Sequence, residues 1–188
     1  MKHKNTLVAV IGGPGTGKGT YSRMLMTCHD FSYVDTGALL RALPPEFGLQ
    51  DVLAAGNFAP EDIVFRVVSE NMPLGSDVVL DGFPRTVSQA QWLVSEYADK
   101  FDVKILFLDA PDDVLIARIH KRADQGSSRP EDYDESVIRH RIEKFKSDTM
   151  LAIDWLRDVP DIAFYAIDAS HDVDKVYIDI CQVLDLKP

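Results

Sequence analysis

Lys18 stands behind four glycines in the stretch GGPGTGKGT (12–20), directly after the apolar run LVAVI (7–11). Glycine loses more freedom on ordering than any other residue, so a loop this rich in it needs a use beyond joining two elements. Such a loop between a buried strand and a helix that starts near Lys18 turns successive backbone N–H groups inward, where they cradle phosphate oxygens. Gly13, Gly15, Thr16, Gly17, Gly19 and Thr20 carry those amides, and Lys18 supplies a point charge for the outer phosphates. Gly12, Gly17 and Lys18 match G-x-x-x-x-G-K-[ST]; Gly19 departs from it, and the hydroxyl arrives one place later, at Thr20. The departure removes the usual hydroxyl ligand of magnesium.

A second constellation lies in VVLDGFPRT (78–86). Asp81 ends an apolar strand, where it can organise a magnesium ion through water. Gly82 allows close backbone approach, and Arg85 falls just beyond the carboxyl edge of the sheet, where open α/β sheets bind ligands. Read alone, the same residues also suit a strand-end aspartate capping a helix beside a surface arginine.

The elements that position these groups are legible from periodicity. Short apolar runs at 7–11, 31–34, 78–80, 105–108 and 162–167 read as buried parallel strands. Helical patterns alternate with them: one from Lys18, one through 92–97, one opening at Asp109-Ala-Pro-Asp-Asp, and one near Val176, Ile180 and Val183. Ile138, Ile142, Phe145, Ala152 and Leu156 fit one face of a further helix. The alternation implies an α/β fold, a three-layer αβα arrangement on a five-stranded parallel sheet. Residues 42–60 and 123–134 break the rhythm with Pro, Gly and polar residues, and read as excursions that carry sites or lids.

Bulk properties narrow the class. The 188 residues suit one domain, 46% are apolar, and the net charge is −10. That sign disfavours nucleic acid and acidic membranes as partners, and no run approaches a membrane span. The basic start and short apolar run of the N-terminus read as a strand rather than a signal peptide. Two cysteines, Cys28 and Cys181, fit neither a disulfide framework nor a four-thiolate zinc site and suit a reducing compartment, hence a cytoplasmic setting. The five histidines show no metal spacing and read as surface residues.

Together GGPGTGKGT and DGFPRT resemble the nucleoside monophosphate kinases, most closely the adenylate kinases, and the resemblance runs along nearly the whole chain. It implies a single kinase domain over 1–188, with a core of 1–35, 61–122 and 135–188, a monophosphate-binding excursion at 36–60 and a lid at 123–134. DTGALLR (35–41) resembles the monophosphate-site turn, which implies Thr36 and Gly37 at the base and Arg41 on the acceptor phosphate. DAPDDVLIARIHKR (109–122) is similar to the segment entering the lid, which implies Arg118 at the adenine of ATP and Arg122 at the phosphates. RPEDYDESVIRHRIEKF (129–145) resembles the lid's return, with Arg129 and Arg141 on the transferring phosphoryl group, and IDASHDV (167–173) resembles a turn contacting adenine near His171. Helical periodicity does not choose between Arg139 and Arg141; the resemblance selects Arg141, although the spacing from Arg129 is longer than is usual for the family.

The resemblance implies catalysis by Lys18, Arg85, Arg122, Arg129 and Arg141 with Mg2+, acting as a positively charged clamp rather than as nucleophiles. The lid is short and lacks cysteines, as in family members without structural zinc. Gln89, four residues after Arg85, implies AMP as acceptor, because an amide can donate to a ring nitrogen and accept from adenine's amine. Phe58 and Ala59 would wall the base. The chain between Arg41 and Arg85 is shorter than usual, within the monophosphate-binding excursion. The expectation is therefore ATP-to-AMP transfer by a monomer. A UMP/CMP kinase, which Gln89 disfavours, and a catalytically weak nucleotide-binding regulatory module, which the charged set disfavours, stand as alternatives.

Overall fold

In the structure, a computed structural model, residues 4–126 and 129–187 are described. His3 and, within the expected lid, Ser127 and Ser128 lie outside the described residues. Five parallel strands form one sheet in the order β2-β3-β1-β4-β5: β1 Asn5–Gly12, β2 Ser32–Asp35, β3 Val78–Asp81, β4 Phe101–Asp109 and β5 Ala163–Asp168. Each corresponds to one of the five apolar runs. β4 starts four residues earlier than its run, because Asp102 and Lys104 interrupt the apolar pattern at the sheet's amino edge while Phe101 and Val103 stay buried.

Side-chain alternation along the strands builds two cores, one on each face. Leu7, Ala9 and Ile11 of β1 pack with α4 (Glu61–Asn71), α5 (Val87–Tyr97) and α8 (Met150–Arg157). Val8 and Val10 face the other way, onto Tyr21 and Leu25 of α1 (Lys18–His29) and Val176, Tyr177 and Ile180 of α9 (Val173–Val183). A sheet buried on both faces is what continuous apolar strands require. Because all strands run in parallel, their carboxyl ends share one edge, with Gly12 beside Leu108 and Asp81 beside Val10 and Asp35.

The excursions add little mass. Residues 36–60 contain α2 (Thr36–Arg41), one 3-10 turn and α3 (Leu49–Ala54). α6 (Asp112–Asp124) leads into the second excursion, where Pro130–Asp132 form another 3-10 turn before α7 (Glu135–Lys144).

The expected single apolar stripe from Ile138 to Leu156 is not one face. Residues Phe145–Thr149 form a π-helical turn between α7 and α8. Such a turn takes up one residue more than an α-turn and rotates the downstream helix by about 100°. Ile138 and Ile142 therefore pack on Ile119 of α6, whereas Ala152, Ile153 and Leu156 join the main core beneath the sheet.

Candidate active site

α1 begins at Gly17 with no side-chain cap, so its first amides point from the carboxyl edge of the sheet with the positive end of the helix dipole behind them. Gly15 lies in the left-handed region at φ +87°, and a Cβ there would stand 2.5 Å from the carbonyl oxygen of Leu115. The loop thus rests backbone to backbone on α6, a contact only glycine permits. Buried Thr16 donates its hydroxyl to Gly13 O at 2.9 Å. Lys18 Nζ spans the loop, donating to Gly12 O at 2.6 Å and Gly13 O at 2.8 Å. Burial lowers the Lys18 pKa to about 7, with Arg85, Arg141 and Arg129 adding to the effect and Asp81 opposing it.

Asp81 ends β3 and is 6% exposed. Its Oδ2 accepts from Tyr33 Oη at 3.0 Å, and the same phenol donates to Asp35 Oδ2 at 3.0 Å. Burial raises the Asp81 pKa, chiefly against the pull of Lys18. Among the described residues no three His, Cys, Asp or Glu side chains group as a metal cage. A fixed carboxylate beside a phosphate cradle, with too few further acids for an all-protein cage, fits a magnesium ion held mainly by phosphate oxygens and water, the coordination this hard cation prefers.

On the acceptor side, Asp35 caps α2 by accepting from Ala38 N at 2.8 Å. Thr36, next in the chain, is buried and its hydroxyl has no hydrogen-bond partner within the protein. An orphaned hydroxyl in a cavity wall is suited to bond a polar ligand. Arg85 is held from several directions. Its N–H donates to Gln89 Oε1 at 2.8 Å, its Nε to Gly82 O at 2.7 Å, and its carbonyl accepts from Thr149 Oγ1 at 3.0 Å. Its guanidinium lies 5.6 Å from the Phe58 ring centroid. Burial, with Arg141, Arg41 and Arg129 nearby, lowers its pKa to about 10.

The lid arginines gather on acids that the sequence reading did not single out. Asp132, its side chain fully buried, accepts from Arg122 Nε and Nη2, both at 2.7 Å, and from Arg141 Nη1 at 3.0 Å. Glu131 lies 3.8 Å from Arg41. Arg139 points outward, to Glu135 at 2.7 Å, with 63% of its side chain exposed. The geometry therefore separates the two arginines that helical periodicity left equivalent. The loop after α3 meets α7 directly: His140 Nε2 pairs with Asn57 Oδ1 at 3.0 Å, and Gly56, at φ +79°, leaves only 2.6 Å between a built Cβ and Arg141 Cγ.

One cavity of about 380 Å³ collects most of the expected residues. Gly15, Gly17, Lys18, Gly19 and Thr20 line it from the glycine loop, Thr36, Gly37, Arg41, Phe58 and Ala59 from the first excursion, and Asp81, Gly82, Arg85 and Gln89 from β3 and α5. Arg122, Arg129 and Arg141 close the far wall. Gly13, Thr16, Arg118 and His171 are not in its lining. Arg118 instead donates to the carbonyls of Ala169, Ser170 and His171 at 2.6, 3.3 and 2.9 Å, so Arg118 and the His171 turn sit together apart from the cavity. Sequence reasoning missed Arg23, Asn57, Glu131, Phe145 and Thr149 in the lining and the buried Asp132 behind it. The acid pair in RPED, flanked by arginines, was the available signal for Glu131 and Asp132; Thr149 carried none.

Known proteins resemble this chain over nearly its whole length. The family model described as adenylate kinase matches residues 10–159. An adenylate kinase of Rhodopirellula baltica is 35% identical over 186 residues, covering 95% of this chain and 94% of that protein. An adenylate kinase of Bacteroides thetaiotaomicron is 29% identical, covering 95% and 97%, and adenylate kinase isoenzyme 1 of Gallus gallus is 30% identical, covering 98% and 96%. The matched segment runs from the end of β1 to beyond α8 and contains the glycine loop, Asp81, Arg85 and every lid arginine: the chain belongs to the adenylate kinase family.

Proposed function

We infer that this chain catalyses reversible phosphoryl transfer, MgATP + AMP ⇌ MgADP + ADP. One observation carries the reading. Lys18, Arg41, Arg85, Arg122, Arg129 and Arg141 come from segments far apart in the chain, yet all line one cavity together with the glycine loop and Thr36. Two phosphate chains laid end to end would neutralise that convergence.

In this reading the loop amides and Lys18 hold the β- and γ-phosphates, Arg41 holds the acceptor phosphate, and Thr36 and Gly37 lie at the base. Arg85 bridges the two, and Arg122, Arg129 and Arg141 carry the charge that spreads over the equatorial oxygens in flight. Arg118 and the His171 turn hold the adenine of ATP. Magnesium, when bound, neutralises phosphate charge and aligns the oxygens; Asp81 would orient its water. Closing the two excursions excludes the competing water. The Gln89 amide is oriented by the N–H of Arg85, which requires an acceptor; its NH2 group is thereby turned to donate to the base, as adenine N1 requires.

The assay that tests this follows ADP production from ATP with AMP, CMP or UMP as acceptor, with and without magnesium. Two ADP per AMP consumed, with AMP strongly preferred, is the expected result; equal rates with UMP, or no transfer to any monophosphate, would defeat it. The same reading takes the protein as a monomer in the cytoplasm, which sedimentation and cell fractionation test.

A further inference from the structure

The π-helical turn at Phe145–Thr149 sits at the cavity wall, and it settles where three side chains point. A regular α-helix would leave Thr149 about 80° around the axis from Arg141. The residue absorbed in the wider turn takes back about 100°. Thr149 then falls within about 20° of Arg141, and Arg141, Phe145 and Thr149 all line the cavity. Thr149 is 3% exposed, and its hydroxyl donates to the carbonyl of Arg85, a residue 64 positions away, at 3.0 Å.

That contact completes a set. The peptide of Arg85 is held at its N–H by Gln89 and at its carbonyl by Thr149, and its Nε is held by Gly82 O. A guanidinium that must meet two phosphates is only as well placed as the backbone carrying it. The hydroxyl comes from the helix that also bears Arg141, so one element positions both arginines. We propose that Thr149 is a positioning residue for Arg85, delivered by the π turn, and that this turn keeps Arg85 and Arg141 in register across the transferring phosphoryl group. The proposal rests on the kinase reading for the role of Arg85.

The test compares Thr149→Val, which keeps the shape and loses the hydroxyl, with Thr149→Ser, which keeps the hydroxyl; Thr149→Ala replaces the first if it does not fold. Turnover in the valine variant falls roughly 10- to 100-fold and the AMP KM rises. Its ATP KM stays within about twofold, and the serine variant recovers most of the loss. The Nε–H resonance of Arg85 in 1H–15N spectra moves in the valine variant and not in the serine one. Wild-type turnover and an unmoved Arg85 resonance in Thr149→Val overturn the proposal, and so does equal impairment of both variants, which would assign the effect to packing. The resonance is read without substrate. A wild type that makes no ADP from AMP therefore counts against the kinase reading, while the spectra still decide the positioning.

Discussion

Asp132 and Arg122 meet fork to fork, Nε on Oδ2 and Nη2 on Oδ1, both at 2.7 Å, and the same Oδ1 also takes Arg141. A fully buried carboxylate with two arginines on it fixes planar donors at the cavity wall before any substrate arrives. Asp132→Ala therefore releases both arginines. Turnover is expected to drop about 100-fold with a smaller change in ATP binding. Thermal unfolding should show a loss on the order of 2 kcal/mol, since the freed guanidinium groups still reach the aqueous cavity. Steady-state kinetics and calorimetry on the purified variant check both.

Arg139 and Arg141 are two residues apart and face opposite ways. Arg141→Ala should lower turnover by about 100-fold or more. Arg139→Ala, which breaks only an exposed pair with Glu135, should leave kinetics unchanged and cost at most about 0.5 kcal/mol. A kinetic defect in Arg139→Ala with none in Arg141→Ala would reverse the assignment.

Gln89 has two tasks that substitution can separate. Its Oε1 accepts from Arg85 N–H, and in the proposed function its NH2 group is the donor for the base. Gln89→Glu keeps an acceptor for Arg85 and removes the donor, so the AMP KM should rise about tenfold while kcat falls little. Gln89→Leu loses both and should lower kcat as well. Kinetics with AMP, CMP and UMP side by side measure the split.

Lys18 makes both stability and binding depend on pH. Its pKa in the folded protein is about 7, against 10.5 ordinarily, so between those values the unfolded chain binds more protons than the native one. Stability contributed by this group therefore rises with pH across about 7 to 10.5, and its full penalty applies below 7. Phosphates beside Lys18 restore the charge, so ATP binding near pH 8 should take up a proton. Titration calorimetry in buffers of different ionisation enthalpy reads that uptake, and Lys18→Met should abolish it. Binding without proton uptake in the wild type would contradict the prediction.

Much of this architecture was visible in one dimension. Leu7–Ile11 followed by GGPGTGKGT specifies a buried strand and a phosphate cradle through local chemistry alone, because strand periodicity and glycine conformations act over a few residues. DGFPR did the same for Asp81 and Arg85. Less was legible where the decisive contact is distant. Ile138 to Leu156 fits a straight helix by spacing, and nothing in the residue types announces the extra residue in the turn at Phe145–Thr149. Thr149 looks like any helical threonine until Arg85 is brought against it.

The order of apolar runs, glycines and arginines therefore determined the αβα sheet and the kind of ligand it serves, since burial and phosphate recognition are written in residue type and short spacing. Helical spacing left Arg139 and Arg141 equivalent and the resemblance singled out Arg141; the packed chain turns Arg141 into the cavity and Arg139 outward, and it alone supplies the acid bonded to Arg141 and the hydroxyl bonded to Arg85. Those choices depend on strand order and on a rotation of about 100° within one helix, and both are properties of the packed chain rather than of any segment.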